Sequence, residues 1–156
     1  MKLSGRQDIE APIAFVHRML SDFDGWERSA LRRGAEVSRT DALAVPGPGM
    51  EWLVRFDFRA KRRTATLRLE AVDPPTRLRL SGFGANLEGE AAFDLLELGA
   101  GRTRVHVALE ARPRTLAARL FLQSMRLAKA RVQRRFDQRL ASVAADIEDR
   151  HRSSPT

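Results

Sequence analysis

Apolar residues recur at every second position through most of the chain up to Pro113, and at every third or fourth position after it. Leu3, Gly5, Gln7, Ile9 and Ala11 alternate with Ser4, Arg6, Asp8 and Glu10, the period of a half-buried strand. Residues 35–41 predict a weaker strand. Met50, Trp52, Val54, Phe56 and Phe58 oppose Glu51, Arg55, Asp57 and Arg59 in the clearest one. The pattern returns in Ala65 to Ala71, at Leu78 and Leu80, in Leu87 to Leu95, and in Thr103 to Ala111. Val45 to Gly49, Lys61-Arg62-Arg63, Asp73-Pro74-Pro75, Gly82 to Asn86 and Gly99-Ala100-Gly101 predict the turns. One apolar and one charged face per strand describes an antiparallel sheet solvated on one side and covered on the other. Connections of hairpin length exclude parallel crossovers.

The helical period appears first after Ala11-Pro12, where Ile13, Val16 and Leu20 share a face. Asp22 is placed to cap a second short helix around Trp26 to Arg33, stopped by Gly34. The dominant helix is expected from Thr115 to about Arg150, a stretch without Gly or Pro. Phe121, Met125, Ala128, Val132, Phe136, Leu140, Val143 and Ile147 form one stripe along it. The expected architecture is α+β: a curved antiparallel sheet, two short helices after the first strand, and one long C-terminal helix covering the sheet. Residues 1–150 form a single domain in this reading, and 151–156 a disordered tail.

Composition changes the picture in one respect. The 156 residues carry a net charge of +8 with a pI near 11.3. Between Arg112 and Arg139 there are nine basic residues against one acid, Asp137, so the whole excess falls on the long helix and its lead-in. No apolar run is long enough for a membrane span, and residues 1–10 lack the apolar core of a signal peptide. The absence of cysteine excludes disulfides and thiolate metal sites and suits a cytoplasmic protein.

The order of elements, with Ile9-Glu10-Ala11-Pro12 entering the first helix, Val72-Asp73-Pro74-Pro75 before Arg77-Leu78, and Gly99-Ala100-Gly101-Arg102-Thr103-Arg104-Val105 before the last strand, resembles the START-like (SRPBCC, Bet v 1-like) superfamily. Within it the chain looks most like the polyketide cyclase/dehydrase and lipid-transport branch. The resemblance implies a helix-grip fold with a cavity between sheet and C-terminal helix for a hydrophobic or amphipathic small molecule, such as a lipid, fatty acid, quinone or polyketide. It implies a carrier or sensor more often than an enzyme; a cyclase or aromatase acting in the same cavity is the alternative.

On that reading the walls are Trp52, Val54, Phe56, Phe58, Leu67, Leu69, Leu80, Phe93 and Val105 from the sheet, with Phe121, Met125, Val132 and Phe136 from the helix. Gln7, Thr103, Lys129 and Gln133 are inward-tending polar residues expected to orient the polar end of a ligand. Gly5, Gly82, Gly89, Ala65 and Ala91 are small residues expected to leave volume, and loops Pro46 to Gly49 and Phe83 to Leu87 are expected to gate entry. Leu116, Leu120 and Leu127, edged by Arg119, Arg126 and Arg131, point away from the core stripe and suit an anionic membrane surface or a protein partner. Such contact would make the protein peripheral to the membrane. Nucleic acid ranks last among partners, because no stacking aromatics interleave with the arginines.

Catalytic chemistry finds little purchase. His17, His106 and His151 lack metal-ligand spacing, and no nucleophile elbow, phosphate loop or dinucleotide fingerprint is present, so no catalytic residue, metal or cofactor is expected. Glu88, Glu90, Asp94 and Glu110 project to the solvated face opposite Arg68, Arg77, Arg79 and Arg104, where cross-strand ion pairing accounts for them.

Overall fold

The computed structural model describes residues 1–154. Among the described residues, seven strands and four helices follow in the order β1 (Lys2–Ile9), α1 (Ile13–Leu20), α2 (Phe23–Arg32), β2 (Glu36–Arg39), β3 (Glu51–Phe58), β4 (Lys61–Asp73), β5 (Arg77–Gly84), β6 (Leu87–Gly99), β7 (Arg102–Pro113), α3 (Leu116–Leu127) and α4 (Lys129–Ser153). The strands form one antiparallel sheet ordered β1-β7-β6-β5-β4-β3-β2. Every connection from β2 to β7 joins neighbours, and α1 and α2 occupy the one long excursion between the sheet's two edges. This is the helix-grip α+β fold expected from the sequence.

Capping places the helices where the residues predict. Asp22 accepts from the Gly25 amide at 3.1 Å, and Thr115 accepts from the Ala118 amide at 3.1 Å. Gly25 has no room for a Cβ because the Asp22 carboxylate folds over it. Gly34 ends α2 at φ +87°, a left-handed conformation that glycine adopts freely.

The expected single C-terminal helix is two helices. Ala128 adopts φ −103° and ψ 25°, its amide bonds back to Met125 O, and α4 begins at Lys129. A straight helix of this length would run about 55 Å, well beyond the span of a small domain. The bend lets α3 lie against β7 while α4 lies against β1. Nothing local at Ala128 announces it, since alanine is the best helix former. The same helix also runs further than expected. His151 to Ser153 are helical, and the His151 ring packs edge-on against Phe15 at 4.9 Å. Of the expected tail, Pro155 and Thr156 lie outside the described residues.

Two turns also move. The β3–β4 reversal is at Arg59–Ala60, with φ of +52° and +62°, and Lys61 to Arg63 already belong to β4. A two-residue turn with both residues left-handed matches the twist of its strands. β5 continues through Gly82 to Gly84, leaving the turn to Ala85 and Asn86.

α4 is held on β1 at three heights. Gln133 Nε2 donates to Ser4 O at 3.0 Å, Phe136 and Leu140 cover Gly5, and the Glu10 amide donates to Glu148 Oε1 at 2.9 Å. A Cβ on Gly5 would lie 2.9 Å from Phe136 Cε1 and 3.3 Å from Leu140 Cδ2. The helix therefore sits as close as a bare backbone allows. The core extends from this contact through Ile9, Val16, Leu20, Leu69, Val105 and Ile147, all buried. Gly5→Val is expected to cost about 1–3 kcal/mol through overpacking, read as a lower urea midpoint with unchanged slope; an unchanged midpoint would show that α4 is not seated there.

Candidate functional site

Each face of the sheet carries a depression. The outer one, about 740 Å³, has a floor of Ser4, Ser81, Ala92 and Ala108 within a rim of charges. Those charges answer one another. Arg112 bonds Glu90 at 2.9 Å and reaches Glu88 at 3.5 Å and Glu110 at 3.7 Å, reconciling the like-charged pair Glu90 and Glu110 that the register sets side by side. Beyond the rim on the same face, Asp94 faces Arg77 at 3.9 Å, and Asp8 faces Arg104 at 2.8 Å. The hydrogen bonds from Arg112 and Arg104 hold the Glu90 and Asp8 carboxyls below the ordinary carboxylate range. The sheet's acids are thus structural anions on a wet face.

The inner depression is the candidate site. About 590 Å³ lies between the sheet, α4 and the α1–α2 pair. Its walls are Ile9 of β1, Phe93 of β6, Val105, Val107 and Leu109 of β7, Met19 and Leu20 of α1, and Phe136, Leu140, Val143 and Ile147 of α4. The period-2 register turns the strand residues inward, and the period-3.6 stripe turns the α4 residues to meet them. Gln7 adds an amide. The mouth is polar: Asp22, Ser29, Arg32 and Arg33 on the α2 side, and Arg139, Ser142, Asp146, Asp149 and Arg150 on the α4 side.

Of the residues expected to line a cavity, Gln7, Phe93, Val105 and Phe136 do so. The cavity lies along α4 from Phe136 to Arg150, whereas the expected wall ran from Phe121 to Phe136. Trp52, Leu69 and Thr103 are buried in filled core, with Val54 and Leu80 half-buried. Trp52 is fixed from two sides, its ring tilted on Phe23 at 5.5 Å and its Nε1 donating to Glu27 Oε1 at 2.8 Å. Phe58 and Phe121 meet edge-on at 5.9 Å under the Arg59 guanidinium, which stands 4.5 Å from the Phe121 ring. That cluster ties the β3–β4 hairpin to α3, away from the cavity. Phe56, Met125 and Val132 are half-buried and Leu67 is 37% exposed, none of them lining it.

The polar residues expected to orient a ligand divide similarly. Thr103 Oγ1 donates to Ala11 O at 2.9 Å in full burial, fixing the end of β1. Gln133 is engaged by Ser4 O and by Asp137 Oδ1 at 2.9 Å. Lys129 is exposed at the start of α4. The small residues leave less space than expected, because Phe136 and Leu140 fill the place above Gly5, Leu67 that above Gly82, and the Glu110 carbonyl that at Gly89. Neither Pro46 to Gly49 nor Phe83 to Leu87 borders the cavity.

Residues from α2 had no signal in the sequence as lining. Trp26, Ser29 and Arg33 do follow a helical spacing that puts them on one side of a short helix. The second half of the α4 stripe was legible as an apolar face, but the length of the cavity along it was not.

The sequence pattern of the polyketide cyclase/dehydrase and lipid transport family matches residues 1–148. The chain belongs to that family. The fold is also that of solved structures from several bacteria. An aromatase/cyclase, Zhui from Streptomyces sp. R1128, superposes with a TM-score of 0.70 at 16% identity, covering 98% of this chain and 96% of its own. TTHA0849 from Thermus thermophilus gives 0.69 at 18%, covering 99% and 100%. A START superfamily protein from Mycobacterium smegmatis gives 0.57 at 14%, covering 86% and 95%. At these identities the likeness is one of fold. No curated protein matches the chain by sequence.

Thr103→Val separates a structural from a binding role. It removes the donor to a buried carbonyl and is expected to cost about 1–3 kcal/mol of stability in chemical denaturation. Affinity for an apolar probe such as an environment-sensitive naphthalene dye should stay unchanged at temperatures where the variant is folded.

Proposed function

We propose that this protein binds a hydrophobic or amphipathic small molecule in the cavity between its sheet and α4, as a carrier or sensor. The observation that carries this reading is the cavity itself: an apolar wall from three strands and two helices, opening through a charged mouth, with a volume of about 590 Å³. Ligand pockets of about 300–1,000 Å³ share that design, apolar walls with a few placed polar groups. Membership in a family named for polyketide cyclisation and lipid transport supports the same chemical class.

A carrier accounts for the mouth better than a cyclase does. Asp22 is occupied by its helix cap, Asp146 by Arg150 at 3.4 Å, and Asp149 by Arg152. Each carboxylate at the opening already has a structural partner. The strongly held acids, Asp8, Asp41 and Glu90, belong to the outer face and the β2–β3 loop, where arginines keep them ionised.

A second reading concerns α3, and rests on its exposed leucines. Leu116, Leu120 and Leu127 are 72%, 57% and 92% exposed. At 100° per residue they fall on one narrow stripe, with Arg119 and Arg126 along one flank. We infer that this face docks on an anionic bilayer, the apolar stripe entering the headgroup boundary while the arginines meet lipid phosphates. Arg114, in the lead-in to α3, adds positive charge at the same end. Arg131 belongs to α4, beyond the bend.

Two measurements test these readings separately. Native mass spectrometry of freshly purified protein should show a co-purifying apolar molecule, and Val143→Trp, which fills the cavity, should remove it while leaving the circular dichroism spectrum intact. A clean apo spectrum, together with no binding to fatty-acid and quinone panels, would sink the carrier. For docking, flotation with phosphatidylserine vesicles should capture the protein at low salt and several-fold less of an Arg119→Glu, Arg126→Glu variant. Capture unaffected by salt or by that variant would remove the bilayer reading.

A further inference from the structure

Three guanidinium groups at the cavity mouth are uncommitted. Among the described residues, the side chains of Arg32 at the end of α2, Arg33 at its C-cap and Arg139 of α4 have no ion-pair or hydrogen-bond partner, although all three border the opening. Elsewhere some arginines are paired and others, Arg119 and Arg126 on α3 among them, stand free in solvent; what sets these three apart is their place at the opening. Arg39 is bidentate on Asp41 with both distances at 2.6 Å, Arg104 grips Asp8 with two bonds, and Arg112 serves three glutamates. With the Asp146–Arg150 and Asp149–Arg152 pairs set aside, three arginines face one carboxylate, Asp22, which is turned inward to cap α2. The opening is therefore cationic, and its charges flank an apolar chamber from two different helices.

From this we propose that the cavity selects ligands with an anionic head group, a carboxylate or phosphate on an apolar body, held at the mouth by Arg32, Arg33 and Arg139. The proposal rests on the cavity reading above and adds the chemical class of the ligand's polar end. Guanidinium forks bind carboxylate and phosphate oxygens through paired N–H donors. Contributions from α2 on one side and α4 on the other would close the mouth around the head group, leaving the chain against Phe93, Val107, Leu140 and Val143. Arg139 stands one helical turn from Phe136 and one residue from Leu140, so a single stretch of α4 serves both ends of such a ligand. All three arginines are solvent-exposed, so their attraction is screened by salt and is strongest at low ionic strength.

The test compares laurate, dodecyl phosphate and dodecanol by isothermal titration on the full chain at low salt. At least one of the two anions should bind about tenfold or more tightly than the alcohol, and which of them binds identifies carboxylate or phosphate as the favoured head. Arg32→Gln, Arg139→Gln should bring the anion down to the level of dodecanol and leave dodecanol itself unchanged. Arg119→Gln, on α3, serves as a charge control and should leave the preference intact. Equal binding of all three probes by the unmodified protein would overturn head-group selection while sparing the cavity. A preference that survives the double substitution would equally overturn the assignment to these arginines. Binding of none of them would overturn both.

Discussion

The contact of α4 with β1 is the constraint on which the other features depend. Gly5 offers a backbone without a side chain, and Phe136 and Leu140 settle into that space. Gln133 and Glu148 fasten the helix to the strand on either side of the seat, at Ser4 and Glu10. Fixing a helix by hydrogen bonds from its side chains to the strand's backbone at two heights sets its rotation as well as its distance. Its apolar stripe then faces β7 and β6 across a gap that the side chains do not fill. The cavity is what remains when α4 is held close at β1 and the curved sheet falls away from it toward its centre.

The second constraint is length. The C-terminal segment is too long to follow the sheet as one rod, and the bend at Ala128 divides it. α4 keeps the seat and the cavity wall. α3 takes up a separate position, buried only through Ala118 and Leu122, with Phe121 latched to Phe58 and Arg59 of the hairpin tip. An element attached by so few buried residues has freedom to present its other side. Three leucines there meet water, which is costly unless something covers them.

How much of this was legible follows from the range of each interaction. Strand alternation and the stripe through Phe136, Leu140, Val143 and Ile147 are local periodicities, and they carried the sheet, its antiparallel order and the covering helix. The bend was not legible, because Ala128 is a good helix residue and its cause is the size of the domain. The cavity was displaced from its expected place for a similar reason. Inward orientation of Trp52, Leu69 or Val54 says nothing about whether a neighbour fills the space in front of them, and Phe23, Glu27 and the core do so. Glycines mislead in the same way, since Gly5 and Gly82 mark close approach of a side chain here and not spare volume. Thr103 and Gln133 look like placed ligand contacts until their carbonyl partners are known.

The charge pattern has the same lesson at larger scale. The nine basic residues between Arg112 and Arg139 are one block in sequence but two places in the structure. Arg119 and Arg126 stand beside exposed leucines on α3, at the end of the sheet where Met1 and Pro113 lie. Arg139 stands on α4 at the cavity mouth, toward Ile9 and the α1–α2 pair. From Ala128 to Arg139 the helix advances about 16 Å, more than a Debye length at physiological salt. Electrostatic attraction at the two places is therefore separable, despite their nearness in sequence.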